Sequence, residues 1–403
     1  MRALSAGRSF LAGTLGLSLL AAAIAAAQSA PSTGTRLAQP DAPKAPQPTA
    51  EPKEMTKADT TSGEKAKETP ATPPKPAPVK YTELKKTAWP PKAGIKTPGV
   101  QIPITILKPE AEIALTAPAG AILFTADQVL IAVPASDQLV RVEGRSNKVL
   151  DPFSGIGKPC GGLASAFRNL WVVACGTQTV ARLETATGKQ TASISTGTGS
   201  ALQAIAASAD SVWVLTDDKT TLTRIDPDTN EVVSEARLPG NCRSIVVAES
   251  SLWATCPGEK RVLRINPQTN LVTARIEVTP EPVSIAFGGA TAAENSIWVL
   301  SRKEGKVARI DPKTNKVTAT IDLGFTNADG SLAFGDGSLW VTAPGFPITR
   351  INPQLEKERV VQQFVGDGGG MIQFGLNSIW LTNTAYNNVW RIDPKRVAAT
   401  LAE

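Results

Sequence analysis

The chain has 403 residues, 42 Lys and Arg against 36 Asp and Glu, a formal net charge of +6, and no histidine. Without His there is no Ser-His-Asp or Cys-His catalytic arrangement, no imidazole metal ligand and no ordinary general base near neutral pH. The positive charge is local: residues 1–100 carry fourteen basic and seven acidic side chains, residues 101–403 carry twenty-eight and twenty-nine. The larger segment is therefore close to neutral, and its bulk charge gives no support to nucleic-acid binding.

Residues 1–27 have the form of a secretory signal peptide. Arg2 and Arg8 supply the basic start, an apolar stretch runs from Phe10 to Ala27, and Ala25 and Ala27 are the small residues before a cleavage point after Ala27. The alternative is an uncleaved membrane anchor, which the short, Ala-rich run disfavours. The mature chain is then expected to have no transmembrane span. No Cys precedes Cys160, which speaks against a lipoprotein signal.

Residues 28–100 change character, with Pro, Ala, Lys and Thr dominating. So few large apolar side chains cannot offset the entropy of ordering, and the segment is predicted to be a disordered spacer stiffened by proline. Tyr81, Leu84 and Trp89 near its end offer docking groups, but a solvated linker is the simpler reading. The same holds for its basic charge, which otherwise suits an anionic envelope surface.

From residue 101 onward a segment of roughly 42 residues recurs seven times. Its first marker is a Trp opening a short apolar run: Trp171, Trp213, Trp253, Trp298, Trp340 and Trp380, with Leu130 in that place in a degenerate first copy. The second, ten or eleven residues later, is an Arg followed by an aliphatic residue: Arg141, Arg182, Arg224, Arg264, Arg309, Arg350 and Arg391. Strand-type patterning over a repeat of this length, without a helical segment, reads as one blade of a β-propeller. The expectation is an all-β, seven-bladed propeller of four-stranded antiparallel blades over residues 101–403.

The copy around Trp298 reads as strands over residues 283–287, 297–301, 306–310 and 316–321. Residues 311–315, Asp-Pro-Lys-Thr-Asn, make the last hairpin turn; Pro presets φ and Asn tolerates a left-handed conformation. Ring closure has two candidates, residues 112–115 and residues 397–401, and the pattern does not choose between them. Since the Trp and Arg recur in every copy, they are assigned to packing.

Four Cys lie in two repeats. Cys160 and Cys242 each precede the repeat's Trp by eleven residues; Cys175 and Cys256 follow it by four and three. Each pair brackets two antiparallel strands, so disulfides Cys160–Cys175 and Cys242–Cys256 are expected, as suits an exported chain. Offsets of three and four point to opposite faces of a strand, so one pair needs a bulge or a flexible strand end. A thiol metal site is the weaker alternative, with no His to join it.

Sites on propellers gather where the inter-blade loops and the loops between second and third strands meet. The inter-blade loops offer Lys158, Asn241, Arg243, Glu281, Asn327, Asp329 and Asp367; the other loops offer Asp217, Asp218, Glu259, Arg302, Lys303 and Tyr386. Glu281, Asp329 and Asp367, from successive gaps, have the oxygen chemistry for a hard cation, a polar ligand or paired-carboxylate catalysis. The plainer reading is a solvated loop rim. No cofactor is implied.

The run SIWLTNTAYNNVWRIDP, residues 378–394, resembles the YVTN-type propeller repeat of exported bacterial proteins, with Trp380, Leu381, Thr382 and Asn383 in the signature place. The resemblance covers residues 104–403, and the Cys-bearing copies look like a variant of the same repeat. That group is similar to the streptogramin B lyases, which linearise a cyclic depsipeptide using a His base and a divalent metal. The resemblance implies the fold, but the base has no counterpart in a chain without His. A periplasmic propeller that binds single-stranded DNA is another relative in fold; such binding needs a basic, aromatic groove.

The leading expectation is thus an exported, non-enzymatic propeller, periplasmic or secreted and monomeric. It presents one face to an envelope protein or a small molecule. The alternatives are a lyase or hydrolase working through carboxylates and a divalent metal, and a single-stranded DNA binder.

Overall fold

The computed structural model describes residues 101–197, 204–217, 220–354 and 360–400. The expected leader, the linker and Asp218 lie outside these residues. Among the described residues the strands form seven sheets, and each of the first five is built from consecutive strands in simple up-and-down order. Blade 5 shows the pattern: Pro282–Gly288, Ser296–Ser301, Lys306–Asp311 and Lys316–Asp322, each antiparallel to the last. In blades 4 to 7 the Trp-bearing second strand is buried at every position, Ser251–Cys256, Ser296–Ser301, Ser338–Ala343 and Ser378–Asn383, because neighbouring blades cover both faces. The outer strand of blade 3, Glu231–Arg237, alternates between exposed and half-buried, as a strand with one solvated face must.

Ring closure resolves in favour of the N-terminal candidate. Ala111–Ala114 takes the outer position of blade 7, antiparallel to Asn388–Ile392, with Ala111 opposite Arg391. The described part of the competing segment instead belongs to the end of an α-helix, Pro394–Ala399, whose C-cap is Thr400. Asp393 caps it, its carboxylate accepting from the Lys395 amide at 2.8 Å, and Pro394 begins it with a preset φ. Ile102–Pro103 adds a fifth strand to blade 6, parallel to Val360–Val365. The N-terminal stretch of the domain therefore ties two blades together, and Ile102, Ile104 and Leu107 pack with Phe364, Ile379 and Val397.

The repeated Trp and Arg face each other across the second and third strands, as Trp253 does Arg264 and Trp380 does Arg391. In six blades the guanidinium lies over the indole at 5.0–5.9 Å. Its Nε donates to a Ser two residues before the Trp in five of them, for example Arg264 to Ser251 at 2.9 Å. In blades 2, 3 and 4 its Nη1 reaches into the next blade's Pro-containing turn. Arg182 donates to Pro227 O and Asn230 Oδ1, and Arg264 to Pro312 O and Asn315 Oδ1 at 2.8 and 3.0 Å. Arg391 closes the circle, donating to Gly144 O and Asn147 Oδ1 of blade 1 at 2.6 and 2.7 Å. The turn Asn residues that accept these bonds, Asn147, Asn230 and Asn315, have φ of 58–60°, the left-handed region that Asn tolerates.

Two seams depart from the rule. Blade 1 has no Trp; Arg141 lies 4.4 Å over Phe153 instead, and Phe153 packs so closely on Gly188 of blade 2 that a Cβ there would collide with the ring. At the blade 6–7 seam the helix replaces the usual turn, and Arg350 donates to Gln362, which donates to the carbonyls of Ala398 and Thr400. Burial lowers the pKa of Arg350 from its usual range.

The turn of blade 5 carries a pH signature. The Asp311 carboxylate accepts from the Lys313 amide at 2.8 Å and the Thr314 hydroxyl at 2.9 Å, and the Lys313 amide foremost holds its pKa below the usual value. A depressed folded-state pKa contributes stability that is present above the ordinary aspartate pKa, about 3.9, and is lost as pH falls through the folded value. Blade 4 has Asn266 in this place, accepting the same backbone bonds from Gln268 and Thr269. Asp311→Asn is therefore expected to keep the turn and match the wild type near neutral pH. Urea midpoints taken below about pH 4 should then fall less steeply for the variant; parallel curves would contradict the assignment.

Candidate ligand site at the channel mouth

The first strands of the blades surround a central cavity of about 890 Å³. Its wall mixes aliphatic side chains, Ile122, Leu163, Ile205, Ile245, Ile285 and Leu332 among them, with the polar Ser244, Ser284, Ser331, Gln373 and Thr384, and Phe287, Phe334 and Phe374 also border it. At the start of the first strands small residues leave room: Gly120, Gly162, Ala204, Gly330 and Gly370 line the cavity there. The charged side chains lining it are Arg243 and Asp329.

Four of the residues singled out from the sequence converge here. Arg243 Nη1 lies 3.1 Å from Asp329 Oδ1, and Arg302 Nη1 lies 3.7 Å from Asp329 Oδ2. Arg302 also holds Glu281, through Nη2 at 2.6 Å and Nε at 2.8 Å, and its backbone amide donates to Glu281 O at 2.8 Å. The hydrogen bond to Glu281, followed by the charge of Asp329, pushes the Arg302 pKa above its usual value. Blades 4, 5 and 6 thus contribute a chain of alternating charges, Arg243–Asp329–Arg302–Glu281, with no net charge. Its side chains are 35–47% exposed.

The other candidates do not join it. Tyr386 Oη donates to Asp367 Oδ2 at 3.5 Å, a separate pair on the blade 7 side. Lys158 and Asn327 are exposed and, like Glu281, have φ between 55° and 62°. The Lys158 amide donates to Asp137 Oδ1 at 2.6 Å, and the Asn327 amide to Lys303 O at 3.4 Å. Asn241 is exposed beside Cys242. Asp217 accepts from Thr221 at 3.0 Å, and Glu259 covers Gly240. Among the described residues no three His, Cys, Asp or Glu side chains come together as a metal-sized group, so Glu281, Asp329 and Asp367 do not converge.

Both disulfides stand where expected, Cys160–Cys175 and Cys242–Cys256, and both serve this face. The second anchors the loop that presents Arg243. The first needs the anticipated bulge: strand pairing jumps between Pro159, opposite Ala174, and Leu163, opposite Val172, so that Gly161 and Gly162 are accommodated. The two cross-links point to an oxidising, extracytoplasmic environment. No helix among the described residues is long and apolar enough to cross a membrane.

No protein-family model and no curated protein sequence matches the chain. Solved structures do. A streptogramin B lyase is similar with a TM-score of 0.60 and 16% identity, covering 70% of this chain and 96% of its own. Virginiamycin B lyase from Staphylococcus aureus gives 0.59 and 17%, covering 70% and 98%. U3-55K gives 0.58 and 11%, covering 71% and 100%. The chain is a seven-bladed β-propeller similar in structure to virginiamycin B lyase at low sequence identity. The same fold serves lyases and WD40 binding proteins, so the likeness carries architecture and no particular activity.

Each disulfide closes a loop of 14 or 15 residues. Replacing either pair by Ser is expected to lower stability by about 3 kcal/mol, measured by guanidinium unfolding of the oxidised protein. A change below about 0.5 kcal/mol, the scale of ordinary surface substitutions, would contradict a structural role for that bridge.

Proposed function

We propose that this chain is an exported, non-enzymatic binding propeller of the periplasm or extracellular space, taking a small molecule into the channel at the Arg243–Asp329 end. The observation that carries this reading is a cavity of about 890 Å³ ringed by aliphatic and Phe side chains interspersed with hydroxyl and amide groups, with the charged Arg243 and Asp329 on its lining. That volume falls in the range of small-molecule sites, about 300–1,000 Å³. The disulfides and the signal-like N-terminus support export, and the YVTN-type resemblance agrees with it.

A lyase or hydrolase reading has less behind it. Glu281 and Asp329 are each engaged by arginine, so neither carboxylate stands free to meet a substrate. Among the similar structures is a catalytically inactive His-to-Ala variant of virginiamycin B lyase with quinupristin; this chain has no His to play such a part. Nor does the near-neutral propeller offer the basic groove that single-stranded DNA needs.

Ser244 lines the channel and is only partly buried. Ser244→Phe is expected to obstruct the cavity beside Arg243 while leaving the melting temperature within a few degrees of wild type. Native mass spectrometry after exposure to a small-molecule envelope extract should show saturable adducts on wild type that the variant loses. Adducts retained equally by both proteins, or none on wild type, would refute channel binding.

A further inference from the structure

The four-residue charge chain is uneven, and the unevenness selects a ligand class. Glu281 and Arg302 form its fixed half. They share two side-chain contacts of 2.6 and 2.8 Å and a backbone bond of 2.8 Å between the same two residues. Asp329 is held differently. Each of its oxygens faces a different guanidinium, at 3.1 Å from Arg243 and 3.7 Å from Arg302. Among the described residues its carboxylate has no other partner. It is 47% exposed and precedes Gly330 in a loop outside any strand. Ion pairs this exposed are weak, so another carboxylate can take the place of Asp329 at little cost. Asp329 and Arg243 both line the channel, where Ile205, Ile245, Ile285 and Leu332 offer apolar contact to a hydrocarbon chain.

Resting on the channel reading above, we propose that the ligand is a small amphipathic carboxylate. Its apolar body enters the channel, and its acidic head replaces Asp329 between Arg243 and Arg302. Burial of the body supplies the driving force. The two guanidinium groups supply the choice of head, since an alcohol leaves the Arg–Asp pairs in place and a cation meets two like charges. No covalent step is involved, and the displaced Asp329 carboxylate turns into solvent. Arg302 stays oriented throughout by Glu281, so one donor of the pair is preorganised.

The test is isothermal titration of the whole protein with decanoate, decan-1-ol and decyltrimethylammonium, probes that share a chain and differ in head charge. Decanoate is expected to bind wild type best. Asp329→Asn, which removes the internal competitor, should tighten decanoate by about fivefold, the upper effect of an exposed ion pair. Arg243→Gln should weaken it by at least as much, Arg302→Gln likewise, and Ser244→Phe should lose it. Thermal melts confirm that each variant is folded, and Asp329→Asn is decisive even where an Arg variant fails to fold. If decanol binds as tightly as decanoate and Ser244→Phe loses both, the acidic-head proposal falls and channel binding stands. Tighter binding of the ammonium overturns the proposal in sign. No binding of decanoate to wild type or Asp329→Asn overturns it outright, and channel binding is then judged by the adduct experiment alone.

Discussion

An arginine laid across a tryptophan holds this ring together. One side chain meets three demands at a blade seam. Its face covers the indole, its Nε satisfies a buried Ser, and its Nη1 bonds the turn of the next blade, as Arg264 does with Ser251, Pro312 and Asn315. A cation over an aromatic face contributes about 0.5–2 kcal/mol and hydrogen bonds from a charged donor about 1.5–3 kcal/mol each. The arrangement therefore also specifies which blades are neighbours, because the acceptors are carbonyls and Asn side chains fixed by the geometry of the next turn. The exceptions support the rule: where Trp is missing, Phe153 fills the seam against Gly188, and where the turn is missing, Gln362 carries the link to the C-terminal helix.

This division of labour frees the channel end of the blades. Packing is settled by the second and third strands, so the loops leading into the first strands can differ from one blade to the next. They do so most in blades 4 to 6, where Arg243, Glu281, Arg302 and Asp329 meet. Cys242, one residue from Arg243, is tied to Cys256 on the buried Trp-bearing strand. The loop that carries Arg243 is thereby tied to a fully buried strand.

The repeat, the Trp and Arg markers, the disulfide pairing and the need for a bulge were all legible because they are periodic or local. Ring closure was not, since residues 112–115 and 397–401 both read as strands. The choice rests on Asp393 and Pro394 starting a helix, a local capping effect weaker than the repeat pattern. Arg243, Glu281, Arg302 and Asp329 could be named from their loops, but their mutual pairing could not. It joins residues far apart in sequence, and it turns a set of carboxylates suited to a cation into neutralised partners of arginine. The channel wall was hidden for a different reason: Ile122, Ile205 and Ile285 are the same residue types that fill the core, and only the closed ring separates the two environments.

Hydrogen exchange of an Arg391→Met variant, followed by mass spectrometry, tests the ring account most directly. Arg391 alone among the repeated arginines joins the last blade to the first, through Gly144 and Asn147. Faster exchange is expected in Ala111–Ala114 and in the turn around Asn147, with blade 4 protected as in wild type. Exchange that is unchanged at that seam, or raised evenly across all blades, would contradict it.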